Sequence, residues 1–480
     1  MSVRVRFAPS PTGYLHVGGL RTALYNFLFA KKHGGTFILR IEDTDQSRKV
    51  EGAVENLITT LHWAGIDFDE GPGKDGNYGP YIQSQRLHVY KKHAEQLIEK
   101  GKAYYCFCTP ERLEEVRKQQ LAAGVDPKYD GHCRTLPPDE AARRVTSGEP
   151  HVIRMRVPDN GEVKFTDLIR GEVVIQNKIL DDQVLLKSDG FPTYHLAVVV
   201  DDHLMEISHV VRGEEWLPST PKHILLYQYF GWELPQFAHL PLLLNPDKSK
   251  LSKRQGDVAV EDYRAKGYLK EALVNFVAFL GWNPGDEREI FSMQELIAEF
   301  SFERVGKAGA VFNIEKLNWM NQQHIKLRSA NELLPLVKPL VKEKGWNVSD
   351  EYLVRVIDLM KERVVVVNDF VEACSYFYLD PVTYDEQARS KNWKADTPSH
   401  LAQLLDKLKS LTSFDAATVE STLRSTAETL HIGAGKLIHP LRLAISGVSH
   451  GPSLFHMAEV LGKETVVRRI EQAMTKLHEN

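Results

Sequence analysis

Two clusters of residues in this chain are equipped for phosphate chemistry. The first is Ser10-Pro11-Thr12-Gly13 running into His16-Val17-Gly18-Gly19, and the second is Lys250-Leu251-Ser252-Lys253-Arg254. A histidine can donate a hydrogen bond to a phosphate oxygen, and glycines without Cβ let a nucleotide approach the backbone. The lysines suit the charge that develops when an α-phosphate is attacked and pyrophosphate leaves. Each cluster alone is unspecific, because a loop histidine beside two turn glycines, or a solvated basic face, has the same composition. Further candidates are Glu42-Asp43-Thr44-Asp45, which reads either as a divalent-metal site or as a charged strand end, and Cys106-Phe107-Cys108 with Tyr129 and Cys133. Close thiols plus a distant one suit tetrahedral Zn²⁺, with Tyr129 or His132 left to complete the shell; free structural cysteines are the plain alternative.

The elements that must position these groups can be read from periodicity. Val3, Val5 and Phe7 alternate with Arg4 and Arg6, as in a strand with one more buried face. Leu20, Leu24, Phe27 and Leu28 recur at helical spacing until Gly34-Gly35, and a second apolar strand follows from Thr36 to Ile41. Residues 3 to 42 thus read as a βαβ unit, which places phosphate where strand ends meet a helix N-terminus. Leu196 to Val200 reads as a later strand of the same α/β pattern. Asn245-Pro246-Asp247 puts the second cluster on a loop. Gly71-Pro72-Gly73-Lys74-Asp75-Gly76 fits a dinucleotide pattern but follows acidic residues instead of a strand, so it reads as a turn, and no GxxxxGK[ST] loop is present. Beyond residue 326 the pattern is helical. Thr397-Pro398 reads as an N-cap and first-turn proline before a Leu401, Leu404, Leu405, Leu408 face, and Val466, Val467, Ile470, Ala473 and Leu477 line another.

A chain of 480 residues exceeds one core and should form three to five domains. Its 42% hydrophobic and 26% charged residues suit a soluble protein. Sixty basic and 64 acidic side chains give a net charge of −4, so a nucleic-acid partner would need local basic surfaces. The longest apolar runs, such as Leu273 to Leu280, fall short of a membrane span, and four cysteines suggest reduced thiols in a cytoplasm.

In this order and separation the two clusters resemble the signature motifs of class I aminoacyl-tRNA synthetases. Arg6 to Gly19, Phe37 to Asp45, Gly190 to His203, Val211 to Thr220 and Asn245 to Arg254 narrow the likeness to the bacterial glutamyl-tRNA synthetases, over essentially the whole chain. The resemblance implies a Rossmann-like, doubly wound α/β catalytic core (1–80 and 190–250) split by an acceptor-binding insertion (81–189). A stem-contact domain (251–325) would follow, then an all-α anticodon-binding region (326–480, with subdomains 326–382 and 383–480). The helical C-terminus argues against the glutamine enzymes, whose anticodon domains are β-barrels.

It also implies a reaction: L-glutamate and ATP, with Mg²⁺, give glutamyl-adenylate and pyrophosphate, and glutamate passes to the terminal adenosine of tRNA(Glu), with tRNA(Gln) left open as a second acceptor. By resemblance Pro9, His16, Gly18, Gly19, Lys250, Ser252 and Lys253 hold ATP, with His16, Lys250 and Lys253 catalytic. Arg6 and Tyr194 take the side-chain carboxylate, Arg212 the α-carboxylate, and Ser10 with Glu42 the amino group. Asp45 and Arg363 contact tRNA, and Cys106, Cys108, Tyr129 and Cys133 match the zinc arrangement of some members. Some relatives carry Asn where this chain has Val198, four residues after Tyr194. Glutamine is nearly isosteric with glutamate, so discrimination must rest on charge, and Arg6 without its counter-charge is the expected penalty. A cytoplasmic monomer is expected. A truncated paralogue that glutamylates a tRNA base lacks the helical region, a nucleotidyltransferase has no need of the glutamate-binding set, and noncatalytic descendants tend to lose the motif lysines and histidine.

Overall fold

The first strand, β1 (Arg4–Phe7), is buried on both faces and not on one. Its two arginines are inside because each meets a carboxylate: Arg4 lies 2.9 Å from Glu70, and Arg6 lies 2.9 Å from Asp202. Helix α1 (Val17–Lys32) follows, and Gly34 at φ +62° turns the chain back. Gly35 passes so close to β1 that a Cβ would fall 2.3 Å from the Val3 carbonyl. Strand β2 (Thr36–Leu39) then pairs parallel to β1, Arg4 opposite Thr36 through Phe7 opposite Leu39. This is the βαβ unit read from the sequence. The computed structural model describes residues 2–74, 76–251 and 259–477. The chain divides into two units, Met1–Tyr263 with Leu273–Ile314, and Arg264–Ala272 with Glu315–Asn480.

In the first unit, α2 (Ala53–Trp63) precedes a tight Gly71–Lys74 turn, as expected of the glycine-rich decoy. Helix α3 (Leu87–Glu99), β3 (Ala103–Cys106), α4 (Pro110–Ala122), α5 (Pro138–Thr146), β4 (Val152–Met155), β5 (Glu162–Asp167), β6 (Gly171–Gln176) and β7 (Val184–Leu186) come next. The run Leu196–Val200 is not a strand. It lies in helix α6 (Tyr194–Leu204), where every residue from Leu196 to Asp202 is buried. A helix covered on all sides loses its polar stripe, and a β-branched apolar run then reads like an interior strand. Strand β8 (His209–Gly213), α7 (Thr220–Phe230) and β9 (Gln236–Leu240) complete a sheet ordered β6-β5-β9-β8, in which β9 runs parallel to both β8 and β5. The Ser208 N–H donates to the Arg4 carbonyl and ties the start of β8 to β1. The parallel strand ends and the N-terminus of α1 thereby face one crevice.

In the second unit no strand occurs among the described residues 315–477. Several of its helices start on side-chain caps, with a reciprocal capping box at Ser329/Glu332 and single caps at Ser349, Asp385 and Asp415, and the apolar faces of the helices form one core. Thr397 is not an N-cap. The helix Thr397–Ser410 begins with it, and its hydroxyl accepts from the Lys394 N–H one turn earlier. The leucine face beginning at Leu401 is buried as read.

Candidate functional site

A cavity of about 830 Å³ opens in the first unit where β1, α1, β8 and the approach to residue 250 meet. Pro9, Ser10, His16, Gly18, Gly19 and Lys250 line it, as do Arg6, Glu42, Asp45, Tyr194 and Arg212. Every described residue assigned to ATP or glutamate therefore falls on one cavity. Ser252, Lys253 and Arg254 lie outside the described residues. Lys250 ends a turn closed by Asn245 and Ser249, with Leu251 N–H donating to the Leu243 carbonyl. On the far side of the segment, Ala259 bridges to His16 and Val260 N–H donates to the Leu15 carbonyl.

His16 is the N-cap of α1. Its Nδ1 accepts from the Gly18 and Gly19 N–H groups at 3.1 and 3.2 Å, so the ring proton of the neutral imidazole sits on Nε2. Both glycines donate to this cap, and neither leaves room for a Cβ. A Cβ on Gly18 would stand 3.0 Å from His16 Cε1, and one on Gly19 2.7 Å from Leu15 Cδ1. Anion attraction still holds here, because the helix dipole adds to the donor that the cap aims.

Arg6 and Glu42, also on the cavity, belong to a buried charge network. Arg6 grips Asp202 bidentately at 2.9 and 3.2 Å, while Arg40 reaches Asp202 at 2.8 Å and Glu42 at 3.0 Å. Asp201, next to Asp202 on α6, takes Arg86 at 2.8 Å, Tyr90 at 2.7 Å and Gln83 at 2.9 Å. Burial opposes ionisation of Asp202, yet the Arg6 and Arg40 guanidiniums outweigh it and hold its carboxyl below the usual range. Burial raises Glu42, with Arg40 acting against the rise. The expectation that Arg6 depends on substrate for its counter-charge is thus corrected: Asp202 supplies it. Arg212 differs. It bonds Tyr194 Oη at 2.9 Å, Thr220 Oγ1 at 2.9 Å, His239 Nε2 at 3.2 Å and His223 Nδ1 at 3.2 Å, and no carboxylate pairs with it among the described residues. Tyr194 is packed on Trp216, ring centroids 4.1 Å apart, and burial raises its phenol. Val198 is buried in α6 and does not line the cavity.

Of the acidic cluster, Asp43 accepts from Ser84 N–H at 2.8 Å and Ser84 Oγ at 2.7 Å, Glu42 faces Arg40, and Asp45 is exposed beside Arg48. Its carboxylates serve protein donors, and among the described residues only Cys106, Cys108 and Cys133 gather as metal-ligating atoms, all within 4.8 Å. Cys108 and Cys133 Sγ are 3.6 Å apart, close to the ~3.8 Å edge of a tetrahedron with Zn–S near 2.3 Å. Tyr129 Oη lies 3.3 Å from Cys106 Sγ and 3.5 Å from Cys108 Sγ, and Arg154 stacks on its ring. His132 is exposed and outside this group, so the phenol is the better fourth donor. In the second unit Arg363 is exposed just past the helix Asp350–Met360.

Sequence reading missed Asp202, Asp201, Arg40 and the three histidines His195, His223 and His239. The signal available for the first two was a pair of aspartates at the end of an apolar run, since carboxylates there must find cations.

The family model described as tRNA synthetases class I (E and Q), catalytic domain, matches residues 2–319, and one described as anticodon binding domain matches residues 331–474. A glutamate–tRNA ligase of Chloroherpeton thalassium is 56% identical over 99% of this chain and 98% of its own length. One of Chlorobium chlorochromatii is 57% identical over 98% of both. The crystal structure of a glutamate tRNA ligase from Elizabethkingia meningosepticum in complex with its amino acid superposes with a TM-score of 0.94 at 43% identity, covering 99% of this chain and 100% of that one. With catalytic and anticodon-binding regions both matched, the chain belongs to the class I tRNA synthetases specific for glutamate and glutamine.

Proposed function

We propose that this chain is a glutamate–tRNA ligase working through the cavity of its first unit. The α-carboxylate oxygen of L-glutamate attacks the α-phosphorus of ATP and pyrophosphate leaves. A ribose hydroxyl of the terminal adenosine of tRNA(Glu) then attacks the acyl carbon and AMP leaves. The observation that carries the reading is Arg212, a buried guanidinium whose direct partners are all neutral, on the same cavity as a helix N-terminus capped by His16. A carboxylate substrate supplies the missing charge, and phosphates take the helix end.

In this reading the two carboxylates of glutamate lie against Arg6, Tyr194 and Arg212, and the amino group against Ser10 and Glu42. Charge selectivity over glutamine rests on Arg212 meeting the side-chain carboxylate, the reverse of the assignment the resemblance implies, because glutamine would then leave a buried cation facing an amide, at a cost of several kcal/mol. His16 donates from Nε2 to a phosphate, and Lys250 with Lys253 meets the charge of the leaving group. Mg²⁺ is the phosphate counter-ion. No protein nucleophile is required, since alignment and charge stabilisation suffice. The thiols of Cys106, Cys108 and Cys133 with the Tyr129 phenol fit a structural Zn²⁺, which would clamp the insertion that receives the acceptor end. Arg363 belongs to anticodon recognition and Asp45 to tRNA contact. The enzyme acts as a cytoplasmic monomer, and no helix among the described residues is long and apolar enough to cross a membrane.

Pyrophosphate exchange and aminoacylation with purified tRNA(Glu) and tRNA(Gln) test the proposal. Exchange dependent on glutamate, with charging of tRNA(Glu), is expected. Equal exchange with glutamine would overturn it. Charging of tRNA(Gln) as well would define a broader acceptor range for the same enzyme.

A further inference from the structure

The groups around Arg212 form a chain of fixed hydrogen bonds that ordinary packing does not need. Arginine can only donate, so His239 Nε2 and His223 Nδ1, each 3.2 Å from the guanidinium, must both present lone pairs. The remaining proton of His239 then sits on Nδ1, which lies 2.6 Å from Asp167 Oδ2. The proton of His223 sits on Nε2, 3.0 Å from His195 Nδ1. Asp167 is held at the end of β5 by the Ile169, Arg170 and His239 N–H groups, and it reaches His239 because β5 pairs with β9 at that point. Burial, with the nearby Arg212 charge, keeps His223 well below its ordinary pKa, and burial lowers His239 and takes His195 down to about 4.

The contrast with Arg6 shows what this arrangement achieves. Asp202 both orients and neutralises Arg6, so an incoming carboxylate would compete with it. Around Arg212 the neutral imidazoles orient the guanidinium without cancelling its charge.

We propose that His239 and His223 are positioning residues for amino acid binding, holding Arg212 as neutral acceptors so that its charge is left for a substrate carboxylate. The inference rests on the reading of Arg212 as the carboxylate grip. Asp167 and His195 act one step further back by fixing the tautomers.

The test is steady-state aminoacylation of tRNA(Glu) by the full chain, with glutamate and ATP varied separately, for His223→Ala, His223→Asn and His223→Gln alongside Arg212→Ala. Asn places Oδ1 where Nδ1 stood, whereas Gln places its oxygen near Nε2. Losing one acceptor to a charged donor should raise KM for glutamate about tenfold in His223→Ala, with KM for ATP and the melting temperature little changed. His223→Asn should recover most of that loss and His223→Gln should not. Should the alanine variant fail to fold, the Asn and Gln pair makes the same comparison. Unchanged glutamate KM in His223→Ala, a parallel rise in ATP KM, or no difference between Asn and Gln would overturn the positioning role. If Arg212→Ala itself leaves glutamate KM unchanged, the carboxylate grip is wrong and the positioning role falls with it. A defect in Arg212→Ala without one in the His223 variants would remove only the positioning role.

Discussion

The two groups of cavity residues, one proposed for phosphate and one for the amino acid, are assembled in opposite ways. In the first, the cap, the glycines that admit it and the helix it starts come from one stretch, His16 to Gly19, and the interactions span two or three residues. In the second, Arg6, Arg40, Asp202 and Arg212 come from β1, the end of β2, α6 and β8, and their contacts join residues far apart in the chain. Phosphate needs a helix terminus and donors, which a short segment can provide. Recognition of a buried carboxylate needs every nearby charge paired except the one reserved for substrate, and only tertiary structure can arrange that.

The same substitution at the two arginines should have the largest and most contrasting effects. Arg212→Ala should lower kcat/KM for glutamate on the order of 10³-fold with little loss of stability, since a substrate charge pair is removed. Arg6→Ala should cost stability first, because it leaves buried Asp202 with Arg40 as its one remaining cation among the described residues. Steady-state kinetics and urea unfolding of both variants check this, and equal effects would show that the division of labour is wrong.

Next in size is Asp202→Asn, which leaves Arg6 and Arg40 sharing one fewer counter-charge and should destabilise by ~3–5 kcal/mol near neutral pH. The carboxyl of Asp202 is lowered on folding, so its contribution is present above the unfolded pKa and is lost as pH falls through the folded one. The gap between wild type and Asp202→Asn should therefore be full at neutral pH and shrink below about pH 4. Denaturant midpoints at several pH values measure it, and a gap that widens on acidification would contradict the sign.

This difference also governs what could be read from the sequence. The βαβ unit and the helical C-terminal region are legible because each depends on local periodicity, the His16 to Gly19 cluster because it is a short motif, and Arg6, Ser10, Glu42, Tyr194 and Arg212 only through the family resemblance. Leu196–Val200 reads as a strand because full burial erases its helical stripe, and the alternation around Arg4 and Arg6 reads as one more buried face because their partners, Glu70 and Asp202, are remote in sequence. The histidines behind Arg212 carry no local pattern at all. Their roles follow from β5 meeting β9 and from α7 packing beside α6.

His16→Ala tests the local group. A transition-state donor to phosphate accounts for about 10²-fold in rate, whereas the lost cap costs ~1 kcal/mol of stability. Single-turnover adenylate formation should fall by that order while the fold survives, and an unchanged rate would remove His16 from the chemistry. The thiol cluster supplies a control away from both groups. Protein never exposed to chelator should contain close to one zinc per chain, and its removal should loosen the insertion and slow transfer to tRNA while ATP and glutamate binding persist. Metal analysis finding none would reject the site.

The smallest effect expected is also the most diagnostic of local construction. In Gly18→Ala the new Cβ would meet His16 Cε1 at 3.0 Å, so the ring must shift by a few tenths of an ångström. Alanine in a helix is favoured over glycine by up to ~1 kcal/mol, which offsets the strain and should leave the melting temperature almost unchanged. The displaced imidazole, however, weakens its hold on the Gly18 and Gly19 N–H groups and mis-aims Nε2. Adenylate formation should drop several-fold, far less than in His16→Ala, with KM for glutamate unaffected because the groups that orient Arg212, Tyr194, Thr220, His223 and His239, come from other elements. A rise in glutamate KM in this variant would mean that the two groups are mechanically linked, and that the first is less self-contained than its short-range hydrogen bonds indicate.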